Sequence, residues 1–435
     1  MREGRACDGR ACGGCACGGL SSVQTGGMAP PPQGYRRVPR RVRLTITLSM
    51  TAAVVLLLVL ATTGGGEPDR KAQAAPVVPK TTTTTSTTSP FLHVPSGPPA
   101  DQRTLSLVKT IGGQISPKSV DASDAGLVFA QNMMYRHSIT VYDSAGNLVK
   151  TIPDTVNLAA MGVPGGPTVQ GAPVEAAFTP DARYVYTSNY SMYGPGQGPE
   201  GNDTCTPSSA RASGDTPSYV YRIDTRSLAI DQAIKVGLVP KYVATTPDGR
   251  YVLVSHWCSW DLYVIDTVTA KVVKILPMGS YPRGIAVSPD SSSAYVGLMG
   301  GSSIVKVGLA SLTTVRTFTV GQNPRHLVMD PAGHFLYVSL NAPGEVCKVD
   351  LSTDRVAACV HTGSEARSLA ISTDGTALYV VNYKSNTVSK LRASDLTVLQ
   401  SISTGVNPIG ITYDAKTGSI WVAVYTGEIL IFADR

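Results

Sequence analysis

Bulky aromatic side chains are scarce in this chain of 435 residues, which has six Phe and three Trp, and charged residues make up only 15% of it. So low a charge density excludes a disordered polyelectrolyte. The net charge of +7 arises entirely before residue 101, where 11 Lys/Arg face 4 Asp/Glu; the 26 basic and 26 acidic residues that follow cancel. A neutral body lacks the basic face that phosphate tracking needs, so nucleic acid is not an expected partner. Catalytic signatures are missing as well: HExxH, GxSxG, GxxxxGK(S/T), CxxCH and an EF-hand loop do not occur. Those absences remove the corresponding zinc, serine, phosphate, haem and calcium sites, and the six His show no metal-ligand spacing, so neither cofactor nor metal is expected. What is plentiful is Val, Thr, Ser, Gly and Tyr, which points to an all-β chain.

One long apolar run stands out. Leu44 to Ala61 reads LTITLSMTAAVVLLLVLA, preceded by Arg36, Arg37, Arg40, Arg41 and Arg43. It approaches the length of a membrane span, and the arginines orient it with its N-terminus inside. Residues 1–43 are therefore expected to be a basic cytoplasmic tail and 44–63 a transmembrane or signal segment. Residues 64–102, with GGG and TTTTTSTTSP, suit a Pro/Thr-rich spacer. An uncleaved anchor and a signal peptide cleaved near Ala61 or Ala74 both place the rest outside the cytoplasmic membrane. The tail carries Cys7, Cys12, Cys15 and Cys17 without a second cluster to complete a zinc finger, and translation from Met28 would leave an ordinary basic leader.

From there on the chain repeats. Gly237, Gly279, Gly321, Gly363 and Gly405 stand 42 residues apart, and so do Tyr295, Tyr337, Tyr379 and Trp421. Each glycine precedes Pro240, Pro282, Pro324, Ala366 or Pro408 by three residues, and turn strings such as Thr246-Pro247-Asp248-Gly249 follow. Each unit parses into four short strands, as in RGIAVSP, SAYVGLM, SIVKVGL and TVRTFTV, with Asp143, Asp224, Asp266 and Asp350 ending third strands in Asx turns. Pro117 and Pro173 mark two earlier units, so 103–435 is expected to form a seven-bladed β-propeller of four-stranded antiparallel blades. Blade two carries extra residues near 191–217, and further ones lie near 153–167. The last unit has only three strands, and Leu105 to Ile111 is expected to supply the fourth and close the ring.

The Gly-x-x-Pro and Ser-Pro-Asp elements, with Tyr379-Val380-Val381-Asn382 and Val185-Tyr186-Thr187-Ser188-Asn189, resemble the YVTN-repeat β-propeller family across about 103–435. That resemblance implies the fold. Related propellers include surface-layer proteins, binding proteins and enzymes, so it leaves function open. The leading expectation is a membrane- or wall-associated module that binds a small ligand, glycan or protein. A propeller hydrolase or lyase such as a lactonase comes second, and a quinoprotein-like dehydrogenase third.

Three groups of residues are candidates. Lys118, Lys241, Arg283, Arg325 and Arg367 follow the Pro/Ala position on first strands, which line a propeller channel, so they are expected to ring its mouth and attract an anion; Val174 and Ile409 break the series. Tyr190 and Tyr193 beside the blade-two insertion, with Glu200 and Asp203 in it, and His256, Trp257 and Trp260 in blade three are expected on the same face. Against both stands ordinary packing of long and aromatic side chains. Cys205 with Cys258, and Cys347 with Cys359, are candidate disulfides suited to an oxidising compartment.

Overall fold

The computed structural model describes residues 97–435, and the expected tail, apolar segment and most of the spacer lie outside them. Seven antiparallel sheets follow one another. A typical blade consists of Pro240–Thr245, Tyr251–His256, Asp261–Asp266 and Lys271–Pro277, running from the channel outward. Every residue of Tyr251–His256 is buried, because each blade packs against a neighbour on both faces, whereas Lys271–Pro277 is largely exposed. This explains why second strands read as continuous apolar runs and outer strands do not. Tyr295, Tyr337, Tyr379 and Trp421, which keep the repeat spacing, are all buried in the packing between blades.

Turn chemistry recurs with the repeat. Thr246 and Ser288 each donate a hydroxyl to the Asp two residues on and accept the backbone N–H of the residue five on. Asp143, Asp224, Asp266 and Asp350 accept backbone N–H groups from the turn after the third strand.

The ring closes as expected: Leu105–Ile111 pairs antiparallel with Glu428–Asp434, from Leu105 opposite Asp434 to Ile111 opposite Ile429, with a bulge between Leu107 and Lys109. Lys390, fully buried in blade six, donates to the Arg103 carbonyl at 2.8 Å and to the Asp434 carboxylate, whose other oxygen accepts the Tyr379 hydroxyl. A single carboxylate thus links the closing blade to its neighbour.

Blade two departs from the four-stranded plan. The extra residues before it form a fifth strand, Thr155–Asn157, on the inner edge of an elongated first strand, Thr168–Phe178. The other insertion leaves between the second and third strands and holds the α-helix Pro207–Ser213. At the base of the fifth strand Asp154 is fully buried, and neither carboxylate oxygen has a hydrogen-bond partner among the described residues. Gly171 admits it, since any side chain there would strike that carboxylate and the Asn189 amide oxygen.

Two outcomes follow from these buried acids. Asp434→Ala would leave Lys390 charged and unpaired in the interior, and should cost roughly 3–5 kcal/mol in chemical denaturation; a loss under 1 kcal/mol would mean that the node does not brace the closure. Burial pushes Asp154 up to about 8. The folded protein then holds a proton that the unfolded chain, with an ordinary Asp near 3.9, has lost. Stability is therefore lost as pH rises from about 4 to about 8. Asp154→Asn should remove this component, so the melting temperature of the variant relative to wild type should climb between pH 5 and pH 9.

Candidate functional site

A repeated distortion of the first strand builds the site. Val239, Tyr281, Asn323, Glu365 and Asn407, each immediately before the Pro or Ala of the repeat, all have φ between 54° and 62°. Side-chain-bearing residues seldom adopt this left-handed region, least of all β-branched Val. Each carbonyl accepts the backbone N–H of the residue following the second strand, namely Trp257, Met299, Asn341, Tyr383 and Tyr425, at 2.9–3.0 Å. Directly afterwards the strand pairing slips, so Lys241, Arg283, Arg325, Arg367 and Ile409 fall within the bulges. A bulge re-aims a side chain, and here it turns the cations toward the channel.

All five cations line one cavity of about 470 Å³ at the channel mouth. Lys118, Lys241, Arg283 and Arg325 are each under a tenth exposed, and Arg367 is half-buried. Three have acids. Lys241 pairs with Asp203 at 2.8 Å, Arg367 with Glu365 at 2.8 Å, and Arg283 with Glu175 of blade two, across the channel, at 3.4 Å. Lys118 and Arg325 have neither a hydrogen bond nor an ion pair from their charged ends among the described residues. Single donor atoms of Arg283 and Arg367 are also buried without a partner.

The electrostatic consequence is a strained group of like charges. Burial first, then Arg283 and Arg367, destabilises the charge on Arg325; burial, then Arg283 and Arg325, holds Lys118 well below the usual lysine range. Burial also draws Lys241 down to about 8 against the pull of Asp203. Beneath the mouth Tyr242 meets His326 of blade five at 2.9 Å. The Leu369 N–H donates to His326 Nδ1, so Nε2 carries the proton and donates to the phenol oxygen. Burial, followed by the nearby arginines and Lys118, presses His326 down to about 3, which keeps it neutral.

The loop candidates divide. Tyr190 and Trp257 line the cavity, with Lys241 Nζ 4.4 Å and 5.1 Å from their ring centres. The Cys205–Cys258 disulfide, Cα atoms 5.2 Å apart, ties the blade-two insertion to blade three. It seats Asp203, whose carbonyl accepts the Trp257 indole N–H at 3.0 Å, beside Lys241. His256 is fully buried and structural, facing Asp261 at 2.8 Å through Nδ1 and accepting the Gly237 N–H at Nε2. Trp260 packs edge-on against Tyr281 and Tyr193 against His137, outside the cavity. Cys347 and Cys359 face each other on adjacent strands of blade five as a disulfide.

Sequence reasoning missed the apolar wall formed by Met133, Met134, Met299, Tyr383 and Tyr425. The signal was present: Trp257, Met299, Tyr383 and Tyr425 sit one place after the second strand, at multiples of the same 42-residue step.

Residues 311–428, less than half of the chain, match the sequence model of the family described as "Cytochrome D1 heme domain". The solved structure of Kuenenia stuttgartiensis hydrazine synthase is similar, with a TM-score of 0.58 and 18% identity, over 74% of this chain and 96% of that one. No curated protein matches. What these likenesses share with the chain is the propeller fold.

With both disulfides formed, reduction and denaturation should raise the intact mass of the described domain by about 4 Da, two hydrogens per bond. An unchanged mass would remove the tether that seats Asp203.

Proposed function

We propose that this protein is an extracytoplasmic ligand-binding propeller, held at the membrane by its N-terminal apolar segment, whose channel mouth takes a small anionic ligand. The observation that carries this reading is the pair of buried cations, Lys118 and Arg325, which make no ion pair among the described residues in a cavity where every other cation makes one. Burying like charges costs stability unless something answers them. An anion arriving there would gain charge-assisted hydrogen bonds that the empty protein lacks. Tyr190, Trp257, Tyr383, Tyr425 and the methionines would cover the apolar part of such a ligand.

The likeness to the cytochrome d1 heme domain raises a haem as that ligand. The cations suit its carboxylates. Its iron needs an axial side-chain donor; no histidine or cysteine lines the cavity, so a methionine or tyrosine of the apolar wall would have to supply it. His326 has both ring nitrogens engaged, His256 is buried outside the cavity with Nε2 accepting the Gly237 N–H, and the Tyr190 phenol is given to the Gly201 carbonyl and Asp203. The cations fit an organic anion, the cavity offers an iron neither histidine nor thiolate, and the proposal is therefore built on the anion and includes no metal.

The test is a thermal-shift series on the full chain with succinate, citrate, phosphate, glucuronate and an acidic peptide, against neutral sugars. Ligand at about 100 times its Kd should add ~2.7 kcal/mol. Arg325→Met and Lys118→Met should raise the melting temperature of the free protein by relieving repulsion, and abolish the shift. Variants that melt lower and keep the shift would assign these cations to packing.

A further inference from the structure

Lys118 differs from the other cations at the mouth in what it can do chemically. An arginine stays charged in any protein environment, whereas a lysine amine gives up its proton when buried. Lys241, the other lysine of the ring, has Asp203 at 2.8 Å to hold its charge. Lys118 has no such partner among the described residues, and the charged groups facing it are Arg283, Arg325 and Lys241 against Glu175 and Asp203, the latter already paired with Lys241. A primary amine with no acceptor, lining a cavity among guanidinium groups, is placed to exist as the free base. The free base, in exchange with the ammonium form that adds to the charge of the cavity, is a nucleophile.

We propose that Lys118 forms an imine with the carbonyl of a small 2-oxo acid whose carboxylate is held by Arg325 and Arg283. This rests on the anionic-ligand reading of the same cavity and adds the reactive carbonyl to it. The Nζ lone pair adds to the carbonyl carbon, making the C–N bond while the π electrons move to oxygen. Loss of that oxygen with both amine hydrogens as water leaves C=N, so no oxidant or reductant takes part. Arg325 Nη1 and Arg283 Nη1, buried donors without partners, supply the carboxylate's hydrogen bonds. The surrounding cations that keep the amine neutral act equally on the imine nitrogen. Its low affinity for protons makes the adduct a stored form of the ligand rather than a strongly activated iminium.

The experiment is reductive trapping at pH 7. The full chain is incubated with pyruvate and reduced with borohydride, and its intact mass and peptide map are compared with those obtained using acetone, which has the carbonyl without the carboxylate. Exposed lysines with ordinary values near 10.4 are protonated at this pH and should react slowly. The expected result is one adduct, heavier than the protein by pyruvate less one oxygen, mapping to Lys118 and absent with acetone. Arg325→Met should slow trapping by roughly tenfold or more, the loss of one charge-assisted hydrogen bond. Lys118→Arg, which keeps a long basic side chain without a nucleophilic amine and reports on folding through its melting temperature, should give no adduct. A pyruvate-induced thermal shift without an adduct at Lys118 would overturn this inference and leave the anionic-ligand reading standing; neither shift nor adduct would overturn both. Adducts spread over many lysines and unchanged in Lys118→Arg would also refute it.

Discussion

The backbone pairing of Leu105–Ile111 with Glu428–Asp434 holds the two ends of the propeller together. Seven blades wrapped about one channel each need two neighbours to bury their middle strands, and an open ring would leave one face of blade seven and one of blade one uncovered. The Lys390–Asp434–Tyr379 node reinforces the closure by side-chain chemistry, with Lys390 also reaching the Arg103 carbonyl just before the closing strand. Because the centre is defined only when the ring is complete, the cavity at the channel mouth exists only through this contact between residues about 300 positions apart in the chain.

Within the closed ring, one local conformation is used again and again. A residue in the left-handed region, a Pro or Ala and then a bulge together deliver a long side chain to the axis. In blade seven the same device delivers Ile409, and in blade two Val174 occupies a bulged place without a left-handed residue before it. The geometry belongs to the scaffold, and the charge is a separate choice made at each blade. Five of seven positions are cationic and converge, an arrangement that packing does not require and that electrostatics opposes. Such a departure from local consistency is expected at functional positions.

Blade two supplies the asymmetry. Its insertion brings Asp203 to Lys241, its elongated first strand sends Glu175 across to Arg283, and its fifth strand buries Asp154. Two acids from one blade neutralise cations of blades three and four, while Lys118 in blade one and Arg325 in blade five receive none. The ring is therefore nearly symmetric in backbone and strongly asymmetric in charge, which would give the proposed ligand one orientation in which to bind.

The 42-residue step, the turn strings and the unmatched final strand were sufficient to read off seven blades, the ring closure, both insertions and both disulfide pairs, because a repeat determines which strands must be neighbours before any side chain is placed. The same register identified all five cations. Their partners were not legible: Glu175 meets Arg283 from two blades away, Tyr242 meets His326 likewise, and no spacing relates them. His256, Trp260 and Tyr193 shared loops with Tyr190 and Trp257, yet their side chains turn into packing or away from the cavity, a matter of rotamer and neighbour. Sequence alone determined the scaffold and the line of positions that face its axis, since both follow from local periodicity. Only the tertiary structure decided which of those charges are answered, since that depends on distances across a channel that the chain itself does not encode locally.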